Sequence, residues 1–95
     1  MNRVTVSDLN AIIARLNRVC GTPQQPYTPD ADGRLRANIG CWHLSRAYGG
    51  FGLHRMVTDG GGVSDPFGHH MPARELQNRI SAYLRGFEDA GRAAL

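Results

Sequence analysis

The dipeptide Gly49-Gly50, set between two runs that read as strands, constrains what this chain can fold into more than any other feature. Two successive glycines accept positive φ with no Cβ penalty, which a two-residue hairpin loop of the right twist requires. With those glycines as the loop, strands over 41–48 and 51–58 pair by counting outward. Tyr48 falls opposite Phe51, Arg46 opposite Leu53, Leu44 opposite Arg55 and Trp42 opposite Val57. One face is then heavy and apolar and carries two arginines, Arg46 and Arg55. The other carries Cys41, His43, Ser45, Ala47, Gly52, His54, Met56 and Thr58, which are smaller and more polar.

Upstream of the hairpin, Ser7 reads as an N-cap, and Leu9, Ile12, Ile13, Leu16, Val19 and Cys20 recur at helical spacing. The spacing predicts a helix over 7–20, ended by Gly21. Pro23, Pro26 and Pro29 make 22–32 an extended connector. Tyr27, inside it, either packs on the sheet edge or lines a pocket, and Asp32-Gly33 reads as a turn. Leu35, Ala37 and Ile39 alternate with Arg34, Arg36 and Asn38, the period of a half-buried strand over 34–39.

Downstream, 59–71 is a glycine-rich loop, read either as flexible or as a close approach of backbone to a ligand. It lacks the lysine and the serine or threonine of a phosphate-cradling P-loop. Pro72 suits a first helical position, and Leu76, Ile80, Tyr83, Leu84 and Phe87 form the apolar stripe of a second helix over 72–90, with 91–95 expected to fray. The expectation is one domain over 1–95 of the α+β class. Its order is α-β-β-β-α, with a three-stranded antiparallel meander packed against two helices.

A chain of 95 residues supports one compact core, which favours a ligand site shared between subunits over a deep private cleft. All 11 basic residues are arginine, the net charge is +3, and the arginines form no run. That pattern lacks the concentrated basic stripe of a non-specific nucleic-acid binder and suits a small anion, since the planar guanidinium fork grips phosphates and stacks on rings. Two cysteines without a secretory leader imply a reduced cytoplasmic setting. No apolar run is long enough to cross a bilayer, so no membrane partner is expected.

Four histidines and two cysteines raise the question of a metal, but they sit in no recognised ligand spacing, and neither metal nor cofactor is expected. No cysteine or serine is locally marked as a nucleophile, and the carboxylates are dispersed, so the chain reads as a binding protein and not an enzyme. For binding, Arg46 and Arg55 stand beside Tyr48 and Phe51, with Arg74 and Asn78 arriving from the second helix. These are the parts of a nucleotide site: rings for a base, guanidinium forks for phosphates, and an amide or Asp59 for ribose hydroxyls. The competing reading makes the aromatics core and lets both arginines snorkel to the edge.

The order helix, three strands, helix is that of the double-stranded RNA-binding domain. A fuller likeness runs through Pro26-Tyr27-Thr28, Ala37-Asn38-Ile39-Gly40, His43-Leu44-Ser45, Ala47-Tyr48-Gly49-Gly50, Gly61-Gly62-Val63, Pro72-Ala73-Arg74-Glu75-Leu76 and Leu84-Arg85-Gly86. With these motifs the chain resembles small proteins encoded in phages and prophages, and among them it is similar to the Thoeris anti-defence sponges. The resemblance implies a homo-oligomer in the host bacterial cytoplasm that sequesters a cyclic ADP-ribose immune signal without cleaving it. It also implies an aromatic clamp with arginines at a subunit interface, with Tyr48, Phe51, Asp59, Arg74, Asn78 and Arg79 the positions best placed for it. Two alternatives stay open: a nucleic-acid-binding module, and a protein-protein inhibitor of a bacterial immune complex.

Overall fold

A computed structural model describes residues 3–93. Helix α1 (Val6–Cys20) is followed by strands β1 (Tyr27–Pro29), β2 (Leu35–Ala37), β3 (Trp42–Ala47), β4 (Gly50–Met56) and β5 (Val63–Ser64), then helix α2 (Ala73–Ala93). The α+β layout, with helices flanking an antiparallel meander, is the expected one. The meander runs β3-β4-β5, while β1 and β2 form a separate two-stranded ribbon.

The strand expected over 34–39 therefore does not border the hairpin. It is held instead by the connector before it: the Asn38 N–H donates to the Pro26 carbonyl at 2.9 Å, and the Asn38 side chain reaches Gln25 O and Thr28 Oγ1. Asp30 closes the ribbon. Its carboxylate accepts from Asp32 N–H, Arg34 N–H and Arg36 Nε, and the Arg36 guanidinium, then the Arg34 N–H, hold its carboxyl below the ordinary value of 3.8. The three prolines exclude a helix from this stretch but leave room for a short edge strand ending at Pro29.

Helix α1 begins one residue earlier than expected, and its cap is Thr5, not Ser7. The Thr5 hydroxyl accepts the Asp8 N–H at 3.1 Å while the Asp8 carboxylate accepts the Thr5 N–H at 2.8 Å, a complete capping box. Gly21 ends the helix in the left-handed region at φ 69. Helix α2 continues to Ala93, past the expected end at 90, and the remainder of the expected frayed tail lies outside the described residues.

Leu9, Ile13 and Leu16 of α1 and Leu76, Ile80 and Leu84 of α2 meet Trp42, Leu53 and Met71 in the core. Each such side chain contributes roughly 1.5–3 kcal/mol on burial, before the entropy of ordering it. Phe87, expected in the buried stripe, is exposed at 38% and stacks edge-on against Tyr83 instead.

The loop of the β3–β4 hairpin is Tyr48-Gly49, with φ of 55 and 74, and the pairs are Trp42↔Arg55, His43↔His54, Leu44↔Leu53, Ser45↔Gly52, Arg46↔Phe51 and Ala47↔Gly50. The expected Gly49-Gly50 loop is thus displaced by one residue. Every strand pair moves by two, which preserves the faces because side chains alternate with period two. Gly50 is used otherwise: a Cβ there would sit 3.2 Å from both the N and the O of Met71, whose backbone crosses it.

Asn17 joins α1 to the free edge of β3. It is a buried polar side chain, 1% exposed. Its Nδ2 donates to Trp42 O at 3.0 Å, and its Oδ1 accepts from Trp42 N–H at 2.9 Å and from the Thr22 hydroxyl at 2.7 Å. The amide thus stands in for one residue of a missing neighbour strand. Asn17→Leu leaves those backbone groups without partners and is expected to cost about 3 kcal/mol in a denaturant titration. By contrast, Tyr48 is 99% exposed and held in the left-handed region, so Tyr48→Asn is expected to stabilise by about 1 kcal/mol, a rise of roughly 4 °C in Tm.

Candidate functional site

Phe51 lies where the two helices begin. An open groove of about 670 Å³ is lined by Arg3, Val4, Thr5 and Val6 at the start of α1, by Ala73 and Arg74 at the start of α2, and by Phe51 of β4 between them. A smaller hollow of about 320 Å³ adjoins it at the hairpin loop, lined by Arg46, Ala47, Gly49, Gly50 and again Phe51. The Arg46 guanidinium carbon lies 5.5 Å from the Phe51 ring centroid. Arginines from three separate segments therefore line the two hollows that share Phe51, and the Arg46 guanidinium stands over its ring.

The backbone adds to the positive character. First-turn N–H groups of any helix lack intrahelical acceptors and carry a partial positive charge, and here two helix starts line one groove. Asp8 brings a carboxylate to the first turn of α1, but it is engaged in the capping box, and the Thr5 backbone and hydroxyl hold it below its ordinary value of 3.8. The arrangement can bind an anion that also bears a ring, through forks and N–H groups for the charge and Phe51 for the ring.

Of the residues singled out in the sequence, Arg46, Phe51 and Arg74 come together. The others do not. Tyr48 turns its ring edge toward His70, centroids 6.2 Å apart. Arg55 stands toward the other end of β4, its guanidinium carbon 5.1 Å from the Trp42 centroid. Asp59 follows β4, and the length of that strand, roughly 20 Å, separates it from the hairpin loop. Asn78 is on the exposed side of α2. Arg79 pairs with Glu75 one turn before it, at 3.3 Å. Arg46 and Arg55 are both exposed, each over a ring.

A second assembly, on the polar face of the hairpin, went unread as a unit. His43 and His54 face each other across the ladder, centroids 5.8 Å apart. His70 lies 5.9 Å from His54 and its Nε2 is 2.9 Å from Ser45 Oγ. Among the described residues, no three histidine, cysteine or carboxylate side chains are grouped so as to hold a metal ion. The trace of this assembly in the sequence is the alternation Gly50-Phe51-Gly52 within a strand, since glycine there marks a close approach of other atoms. A Cβ on Gly52 would lie 3.2 Å from His70 Cδ2 and Nε2.

No protein-family model, curated protein or solved structure matches the chain. Among the described residues no helix is long and apolar enough to cross a membrane.

Gly52→Ala is expected to push the His70 ring off the sheet and break its hydrogen bond to Ser45, lowering stability by about 1 kcal/mol. Denaturant unfolding measures the loss, which should vanish when the substitution is made in a Ser45→Ala background.

Proposed function

We propose that this chain captures a cyclic nucleotide of the cyclic ADP-ribose class in the groove at Phe51 and withholds it from solution uncleaved, as a phage anti-defence protein. The observation that carries the reading is that Arg3 and Arg74 line the groove at Phe51 where two helix starts meet, with the Arg46 guanidinium over the Phe51 ring. A dianionic pyrophosphate suits the guanidinium forks and first-turn N–H groups, and the base suits the ring. An open groove of this kind releases its ligand readily unless a second surface closes over it, which is why the proposal includes self-association. The apolar side chains left in solvent on and beside the β1–β2 ribbon, Leu35 at 68% and Ile39 at 54%, favour that association.

Calorimetric titration with cyclic ADP-ribose is expected to give a Kd of about 1 µM or tighter, equivalent to roughly 8 kcal/mol. Phe51→Ala and Arg74→Ala should each weaken binding about tenfold or more, whereas Arg55→Ala and Asn78→Ala, away from the groove, should leave it unchanged. Heating the complex should return the ligand intact. Recovery of a cleaved product would make the chain an enzyme, and retardation of duplex RNA with no nucleotide binding would favour the nucleic-acid module.

A further inference from the structure

Strand β3 is bonded to β4 on one side and has no strand on the other. Along an antiparallel strand the backbone groups of successive residues point alternately toward the neighbour and away. Trp42 turns its N–H and C=O away from β4, and the Asn17 amide holds both. Leu44 and Arg46, two and four residues on, turn theirs the same way, beyond the reach of that amide. The Leu44 backbone also bonds the His43 ring, and a carbonyl that accepts once keeps a second lone pair. A row of strand groups left open in this way is a template for another strand.

Two features beside this edge fit one another. Tyr48, at the tip of the hairpin, is 99% exposed although its backbone sits in the left-handed region at φ 55. An open hollow of about 380 Å³ lies along β3, with Asn10, Ile13, Ala14, Pro26, Trp42 and Leu44 in its walls. The first is a knob with nothing to enter, and the second is a hole with nothing in it.

We propose that β3 pairs antiparallel with β3 of a second copy about a two-fold axis at Ser45, with Tyr48 of each copy seated in that hollow of the other. This register sets Leu44 opposite the partner's Arg46 and Arg46 opposite the partner's Leu44, so every outward group of the two residues is met. One step further, the partner's Tyr48 comes opposite Trp42, whose groups Asn17 already holds, and there the partner's strand has ended at Ala47. An axis through Leu44 sets Arg46 against that occupied Trp42, and an axis through Arg46 sets Leu44 against the turn. Only the axis at Ser45 matches open groups to open groups. Charge does not oppose it: the Arg46 guanidinium leans across the ladder over Phe51, away from the axis. An extended peptide of another protein would add to the same edge, but a second copy also brings the aromatic knob, on a strand that ends where Asn17 begins. The pairing needs no nucleotide, so it holds or fails independently of capture at Phe51.

Sedimentation equilibrium of the chain without ligand is expected to approach twice the mass of 10.4 kDa at about 100 µM, with a Kd of about 10 µM or tighter. Amide exchange at Leu44 and Arg46 should slow as the concentration rises through that Kd. Tyr48→Asn, which relieves the left-handed strain and so keeps the fold, and Ala14→Arg, which fills the hollow, should each weaken association about tenfold or more. Leu35→Ser, on the β1–β2 ribbon, should leave the pair as in the wild type. The stabilisation expected of Tyr48→Asn belongs to the single chain and is read below the Kd, where association adds nothing. A single-chain mass at every concentration, a Kd untouched by Tyr48→Asn or by Ala14→Arg, or loss of the pair in Leu35→Ser overturns the proposal. So does exchange at Leu44 and Arg46 that ignores concentration.

Discussion

The reciprocal hydrogen bonds between Phe51 and Met71 are the contact on which the rest of this structure depends. They return the chain to β4 after the glycine-rich stretch and set where α2 begins. They also place Met71 in the core beside Leu53 and Leu76. Gly50 makes the approach possible, because any side chain at that position would meet the Met71 backbone. With Met71 seated, Pro72 and Ala73 follow at once, and the start of α2 is brought against the start of α1 and the Phe51 ring. The groove and the imidazole cluster are consequences of one crossing, on opposite faces of the same strand.

Two exposed arginines share the helix-facing side of the hairpin, and the ring beneath each separates their roles. Arg46 and Arg55 stand on the helix-facing side of the hairpin at its two ends, each with its guanidinium over a ring and open to solvent. Such pairs contribute on the order of 0.5–1 kcal/mol at exposed sites, too little to explain the fold and enough to aim a fork. Only Arg46 shares its ring with a groove lined by other arginines. Arg55 sits on Trp42, which is buried and braced edge-on by Tyr83, so its place is structural.

Periodicity made much of the fold legible in the sequence. The helical stripes of Leu9, Ile13 and Leu16 and of Leu76, Ile80 and Leu84 identified both helices, and the hairpin faces came out as expected because parity survives a two-residue shift of register. The loop position did not, since a glycine can serve a turn or a close approach and sequence alone does not distinguish them; Gly50 serves the approach, leaving Tyr48 in a left-handed conformation. The β1 strand was hidden by its prolines, and the Asn38 and Asp30 side chains that fix the ribbon act across two to thirteen residues in patterns no periodicity reveals. For the site, the reading gathered eight residues, of which the folded chain unites Arg46, Phe51 and Arg74. Arg3 was missed because its proximity follows from where α2 begins. The histidines were visible singly, yet His70 joins His54 only because the chain returns to β4 at Met71.

The central claim is that an anion with a ring is held where the two helices start. Chemical-shift mapping during a titration of isotopically labelled protein with cyclic ADP-ribose tests it most directly. The account predicts saturable shifts concentrated at the amides of Val6, Ser7, Phe51, Ala73 and Arg74, with the β1–β2 ribbon responding only through self-association. Saturable shifts centred anywhere else, or none at millimolar ligand, would contradict it.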